Sequence, residues 1–84
     1  MNVVFTKQAL KELNHLDSLD RKRIITGVKA LSAGTVKYEK MEGNPERYRQ
    51  RIGDYRVIFT ISQDNTAIIT ATIIKVGHRR EVYR

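Results

Sequence analysis

The sequence predicts an α+β fold in which two N-terminal helices pack on one face of a small, mostly antiparallel β-sheet, in the order β-α-α-β-β-β. Three observations predict it. Apolar residues recur at helical spacing between Ala9 and Leu31. From Tyr48 onward they come instead in extended runs rich in Ile, Val, Tyr, Phe and Thr. Those runs are divided by short turn signals, Gly53-Asp54 and Ser62-Gln63-Asp64-Asn65. The second face of such a sheet is left open.

The elements follow in order. Asn2–Phe5 is a short apolar strand. Thr6 is a good N-cap, and Phe5 with Leu10 fits a hydrophobic staple. Ala9, Leu10, Leu13 and Leu16 then place a first helix over Lys7–Leu16. Asp17-Ser18-Leu19-Asp20 reads as a break and a new cap. The second helix carries a stripe of Ile24, Ile25, Val28 and Leu31, and Gly34 supplies its C′ stop. Thr35–Glu46 has no period and reads as a polar connection anchored by Tyr38 and Met41. Tyr48–Ile52 and Tyr55–Ile61 form a hairpin about Gly53-Asp54. Thr66–Val76 is the longest β-rich run. Its Ile68, Ile69, Ile73 and Ile74 populate both faces, as in a central strand buried on both sides. The first strand is expected to pair with this last one.

Eighty-four residues suffice for one small domain, here residues 1–84, with a modest core. Without cysteine there is neither a disulfide framework nor a thiolate metal site. No apolar run approaches the roughly 20 residues of a membrane span, and Met1–Lys7 lacks signal-peptide layout, so a soluble cytoplasmic protein is expected. The net charge of +7 points to polyanionic partners. Residues 1–42 carry six lysines and two arginines, whereas residues 43–84 carry one lysine and seven arginines. Arginine's rigid fork matches phosphate in a bidentate way, so the second half looks like the contact half.

Within the hairpin, alternation places Arg49, Arg51 and Arg56 on one face with Ile58, and Arg51 directly opposite Arg56. Like charges directly opposite destabilise a sheet. An anion between the two guanidinium groups would remove the conflict, which makes this face a candidate phosphate site. A solvated strand face is the structural alternative, favoured for Arg47. A second cluster closes the chain: His78, Arg79, Arg80, Glu81, Tyr83 and Arg84. A strand ending at Gly77-His78 beside Tyr55–Ile61 emerges at the same end of the sheet as the hairpin turn. The alternatives there are a charged, frayed terminus for Arg80 and Arg84, a core role for Tyr83 and a surface position for His78. His15 falls among lysines on a helix and reads as exposed. No phosphate-binding glycine loop, nucleophile elbow or defensible carboxylate pair is present, so any phosphoryl chemistry is expected to be metal-free and cofactor-free.

Arg51-Ile-Gly-Asp-Tyr-Arg-Val-Ile-Phe59, followed by Ile74-Lys-Val-Gly-His-Arg-Arg-Glu-Val-Tyr83, resembles the RelE/ParE toxin superfamily of type II toxin–antitoxin systems. The opening Phe5-Thr-Lys-Gln-Ala-Leu-Lys-Glu-Leu13 is similar to that family too, so the resemblance spans nearly the whole chain. It implies a toxin held in a hetero-oligomer by a cognate antitoxin. RelE-like members cut messenger RNA in the ribosomal A site, beside 16S rRNA, by attack of the ribose 2′-hydroxyl on the adjacent phosphate. ParE-like members instead bind and inhibit DNA gyrase. Carried over, Arg56 matches the arginine that contacts the scissile phosphate. Arg49 and Arg51 fall where RelE-like toxins are basic, His78 and Arg79 fall in the basic turn after the last strand, and Tyr83 matches the late tyrosine. Lysines of the middle segment are arginines here, and arginine cannot act as a general base near neutral pH.

The expected function is therefore a ribosome-dependent endoribonuclease that inhibits translation. Arg51 and Arg56 grip the scissile phosphate, with Arg49 and Arg79 binding RNA phosphate. His78 is the general acid or base, since an unperturbed imidazole titrates near pH 6.5. Tyr83 competes for that role or stacks on a base. The alternatives are ParE-like gyrase inhibition and RNA binding without catalysis.

Overall fold

Local chemistry sets where each helix begins and ends. The computed structural model describes residues 1–43 and 46–83. Strand β1, Asn2–Phe5, leads into helix α1, Lys7–Asn14, through an extended Thr6 whose hydroxyl accepts a hydrogen bond from the Ala9 amide at 3.1 Å. Helix α2, Ser18–Ala33, starts the same way, with the Asp17 carboxylate accepting from the Asp20 amide at 2.9 Å. It stops at Gly34, which adopts φ of 76°, a left-handed conformation that glycine enters without a Cβ penalty. Helix α1 ends two residues before the expected Leu16 because Asp17 is already committed to capping the next helix.

The buried stripes are Ala9 and Leu13 on α1, and Ile24, Val28 and Leu31 on α2. Each follows the i, i+4, i+7 spacing, with Leu16 half-buried at the end of the first. Leu10 and Ile25, expected on the stripes, stand one residue (about 100°) off them and are exposed. These stripes pack on Val57, Phe59, Ala71, Ile73 and Val76 of the sheet.

Five strands form that sheet, in the order β1-β5-β4-β3-β2. Strand β1 pairs with β5, Ile69–His78, as expected, and runs parallel to it, whereas the other pairings are antiparallel. Strands β3, Tyr48–Ile52, and β4, Tyr55–Gln63, form the expected hairpin, with Ile52 opposite Tyr55 and Arg51 opposite Arg56. Strand β2, Glu39–Lys40, is an addition to the expected order; two residues are too few for any period to reveal. Tyr38 anchors it, its ring edge-on to Tyr48 at 5.6 Å and to Phe59 at 5.4 Å. The parts of the expected connection at Asn44 and Pro45, and the terminal Arg84, lie outside the described residues.

Two features of the far face differ from expectation. The mixed alternation of β5 comes from a β-bulge, because Ile58 pairs with Lys75 while Phe59 pairs with Ile73, leaving Ile74 as the extra residue. The far face is also partly covered. Residues 79–83 turn back over it, with the Glu81 and Val82 amides both donating to the His78 carbonyl at 2.9 Å. Val82 packs over Gly77, where an added Cβ would lie 3.5 Å from its side chain. Ile58 points away from the helices yet is only 2% exposed. Among the described residues, no helix is long and apolar enough to cross a membrane.

Candidate functional site

The hairpin register aims Arg49, Arg51 and Arg56 away from the helices, but their guanidinium groups part ways. Arg49 and Arg51 converge on Glu39, which β2 brings alongside by pairing Glu39 with Arg49. The Glu39 carboxylate accepts from Arg49 Nη2 at 2.9 Å and pairs through its other oxygen with Arg51 Nε at 3.1 Å. Arg49 Nη1 then donates to the Tyr83 hydroxyl at 3.2 Å, with the guanidinium carbon 5.8 Å from the ring centroid. Four residues from β2, β3 and the C-terminal turn are thus joined in one exposed cluster.

Charge and hydrogen bonding reinforce each other there. The hydrogen bond from Arg49, aided by the positive charge of both arginines, holds the Glu39 carboxyl below the usual carboxylate range. The reciprocal bond to Glu39, with a smaller contribution from Tyr83, pushes Arg49 further above its already high value. Arg49, Arg51 and Glu39 leave one net positive charge facing solvent, beside a phenol that can donate a proton or stack on a base.

Arg56 does something else. It is 8% exposed, and its Nη1 donates to the carbonyls of Gly53 and Tyr55, both at 2.8 Å. The conflict between opposed arginines is therefore relieved from within the molecule. Arg51 turns to Glu39, and Arg56 turns down onto the carbonyls of its own hairpin turn. The opposed pairing predicted from sequence is present, but no external anion is needed to explain it.

His78 lies on the opposite face. It pairs with Tyr55, and the two rings meet edge-on at 5.7 Å between centroids. Its Nδ1 accepts from the Arg80 amide at 3.1 Å. The cleft it lines, about 460 Å³, is shared with Glu12, His15, Tyr55 and Glu81, on the helix side of the sheet. The sheet itself separates His78 from the arginine cluster. Arg79 sits at the hairpin end, its amide donating to the Asp54 carbonyl at 2.8 Å and its Nε 3.7 Å from the Asp54 carboxylate. Arg47 and Arg80 are exposed. Among the described residues, no three His, Asp or Glu side chains are grouped so as to hold a metal ion. Sequence reasoning missed Glu39. The only signal was its glutamate within a polar, aperiodic stretch, and the strand pairing that gives it meaning spans two residues.

A family model described as the ParE toxin of the type II toxin–antitoxin system parDE matches residues 3–83. The chain belongs to the RelE/ParE toxin family. RelE1 of Methanocaldococcus jannaschii is 31% identical over 99% of this chain and 94% of its own length. The toxin RelE of the RelB–RelE antitoxin–toxin complex from Methanococcus jannaschii is similar in structure, with a TM-score of 0.68, 27% identity and coverage of 95% and 94% of the two chains. A mutant of the E. coli toxin RelE in the free state gives a TM-score of 0.69 at 25% identity, covering 98% of this chain and 88% of that one. Within this family fold, the arginine cluster occupies the sheet face that the helices leave uncovered.

Proposed function

We propose that residues 1–84 act as a single toxin domain that binds messenger RNA in the ribosomal A site and cleaves it. Arg49 and Arg51 hold the scissile phosphate. The ribose 2′-hydroxyl attacks the neighbouring phosphorus, the bond from phosphorus to the 5′ oxygen breaks, and a 2′,3′-cyclic phosphate and a 5′-hydroxyl remain. The 2′-hydroxyl proton passes to solvent, and the Tyr83 phenol hands its proton to the departing 5′ oxygen before being reprotonated by solvent. Guanidinium groups already fixed in position stabilise the charge that develops on the phosphoryl oxygens without reorganising. His78 has no part in these steps. An acidic or amphipathic antitoxin is proposed as the partner that holds the toxin inactive, a reading supported by the RelB–RelE complexes among its structural relatives.

The observation that carries this reading is the Arg49 guanidinium, which bridges Tyr83 and Glu39 in one exposed cluster. The test adds purified protein to translating ribosomes with a defined message, and in parallel to gyrase with plasmid. Codon-dependent cuts are expected, with Arg49→Ala slowing them about 10²–10³-fold, as removal of a preorganised donor does elsewhere. Intact message under all conditions overturns the reading.

One observation favours a second reading, inhibition of gyrase by docking. No histidine joins the arginine cluster, since His78 faces the helix side, and Arg56 is committed to its own turn. Blocked supercoiling with intact message would establish that reading instead.

A further inference from the structure

We infer that Glu39 is an internal substitute for the RNA phosphate, an anion the chain places between its own arginines that the substrate must displace. The inference deepens the phosphate-binding part of the proposed function and rests on it. Three features point this way. Glu39 sits at the focus of both guanidinium groups: Oε2 lies 2.9 Å from Arg49 Nη2, Oε1 lies 3.1 Å from Arg51 Nε, and Arg51 Nη2 also reaches Oε2 at 3.5 Å. That is the two-oxygen geometry a phosphodiester offers to an arginine fork. The carboxylate is also half-exposed, 51% at the side chain, so it blocks the site without being locked into it. Strand β2 holds it through two residues at the sheet edge, the shortest strand in the fold.

A carboxylate in this position has two opposite consequences. As a clamp, it would orient the arginines and favour phosphate. As a stand-in, it would compete with phosphate for the same donors. The geometry favours competition, because Arg49 and Arg51 each spend Nε and Nη2 on the carboxylate. Arg49 Nη1 is given to Tyr83, so Arg49 has little left to offer until Glu39 leaves. An incoming phosphate therefore takes over donors already in place, and the released Glu39 carboxylate swings into solvent. Its carboxyl then loses the partners that held its pKa down.

The experiment titrates inorganic phosphate, and a dinucleotide monophosphate lacking the 2′-hydroxyl, into the full-length protein by calorimetry and NMR. Glu39→Gln keeps the side chain's size and removes its charge. It should bind both probes roughly three- to tenfold tighter, the range expected from releasing an exposed ion pair. Glu42→Gln removes a nearby exposed charge of the same sign and should change affinity by less than about twofold through screened solvent. In the unmodified protein, the Glu39 carboxyl resonance should move as phosphate binds, with its titration rising toward the ordinary carboxylate range. Equal or weaker binding by Glu39→Gln, or a Glu39 resonance indifferent to phosphate, overturns the inference. Neither readout needs cleavage. Intact message with tighter phosphate binding sinks the nuclease reading alone, and cleavage with unchanged phosphate binding sinks this one alone.

Discussion

The two faces of the sheet are built from opposite materials. The helix side is a continuous apolar core in which Phe59, Ile24, Leu31, Ile73 and Val57 are each fully buried. The far side is held by charge-assisted hydrogen bonds among Glu39, Arg49, Arg51 and Tyr83, with a small apolar patch where Val82 covers Gly77. Burial of apolar area is cooperative and insensitive to salt, whereas exposed ion pairs contribute little to stability and are screened. The face that can be rearranged without unfolding the chain is thus the one that carries the candidate chemistry. The core and the proposed site are separated by the thickness of a single sheet.

The strongest way to test that separation is to damage the core. Phe59 is fully buried beneath two tyrosine rings, stacked on Tyr48 at 5.9 Å and edge-on to Tyr38. Phe59→Ala is expected to cost about 3–5 kcal/mol, the range for deleting a buried ring and leaving a cavity. For a chain of this size that is a large share of total stability. A denaturant midpoint near that of the unmodified protein would show that the core tolerates voids and that the contrast between faces is overstated.

Arg56 tests the boundary between the faces. It belongs to the far side by register, yet it is buried and its bonds go to backbone carbonyls of the hairpin turn. Arg56→Ala is expected to cost about 1–3 kcal/mol by leaving those carbonyls short of a donor. It should lower the melting temperature before it reports anything about chemistry. An Arg56→Ala protein as stable as its parent, but unable to bind phosphate, would return Arg56 to the site and redraw the comparison.

These two residues also show what was legible in the sequence. Phe59 and Arg56 were assigned to their strand, face and register by alternation about Gly53-Asp54, and the structure pairs them as expected. The helix caps at Thr6 and Asp17 and the stop at Gly34 were equally readable, because each depends on a single residue's local chemistry. What alternation cannot give is the destination of a long side chain. Arg51 and Arg56 stand opposite each other but bond to different partners, and the partner of Arg51 is brought in by a strand of two residues. His78 emerges at the hairpin end of the sheet, as expected, but on the helix face rather than beside the arginines. The bulge at Ile74 inserts one residue into β5, so alternation along that strand does not by itself give the face on which His78 stands. Folding at the level of elements is set by short-range patterns, while the site depends on which loop residue meets which guanidinium.

Tyr55 offers a smaller perturbation, within the helix side. Its hydroxyl donates to the Asp20 carboxylate at 2.9 Å, tying β4 to the start of α2. That bond, with a contribution from burial, raises the phenol above its ordinary value. A group whose pKa is raised on folding contributes stability that is complete below its unfolded value, here about 10. The contribution fades as pH rises through the higher folded value. Tyr55→Phe should therefore cost about 1 kcal/mol at neutral pH. It should also remove part of the alkaline loss of stability seen above about pH 10 in the parent. Identical alkaline unfolding curves for the two proteins would show that the Asp20 bond is not made in solution.

The smallest expected effect is the most informative about the far face. Arg51 is half-exposed, 53% at the side chain, and pairs with Glu39. Arg51→Ala should change stability by less than about 1 kcal/mol, as exposed pairs do, and that difference should shrink further as salt is raised. Salt should leave the loss in Phe59→Ala nearly untouched, because apolar burial does not depend on screening. Phosphate binding should respond in the opposite order. Arg51→Ala should weaken it while the fold stays intact, since a guanidinium that contributes little to folding is free to be given to a ligand. A large, salt-insensitive drop in stability for Arg51→Ala would mean that the arginine face is structural after all, and that Glu39 is there to hold β2 in place rather than to wait for a phosphate.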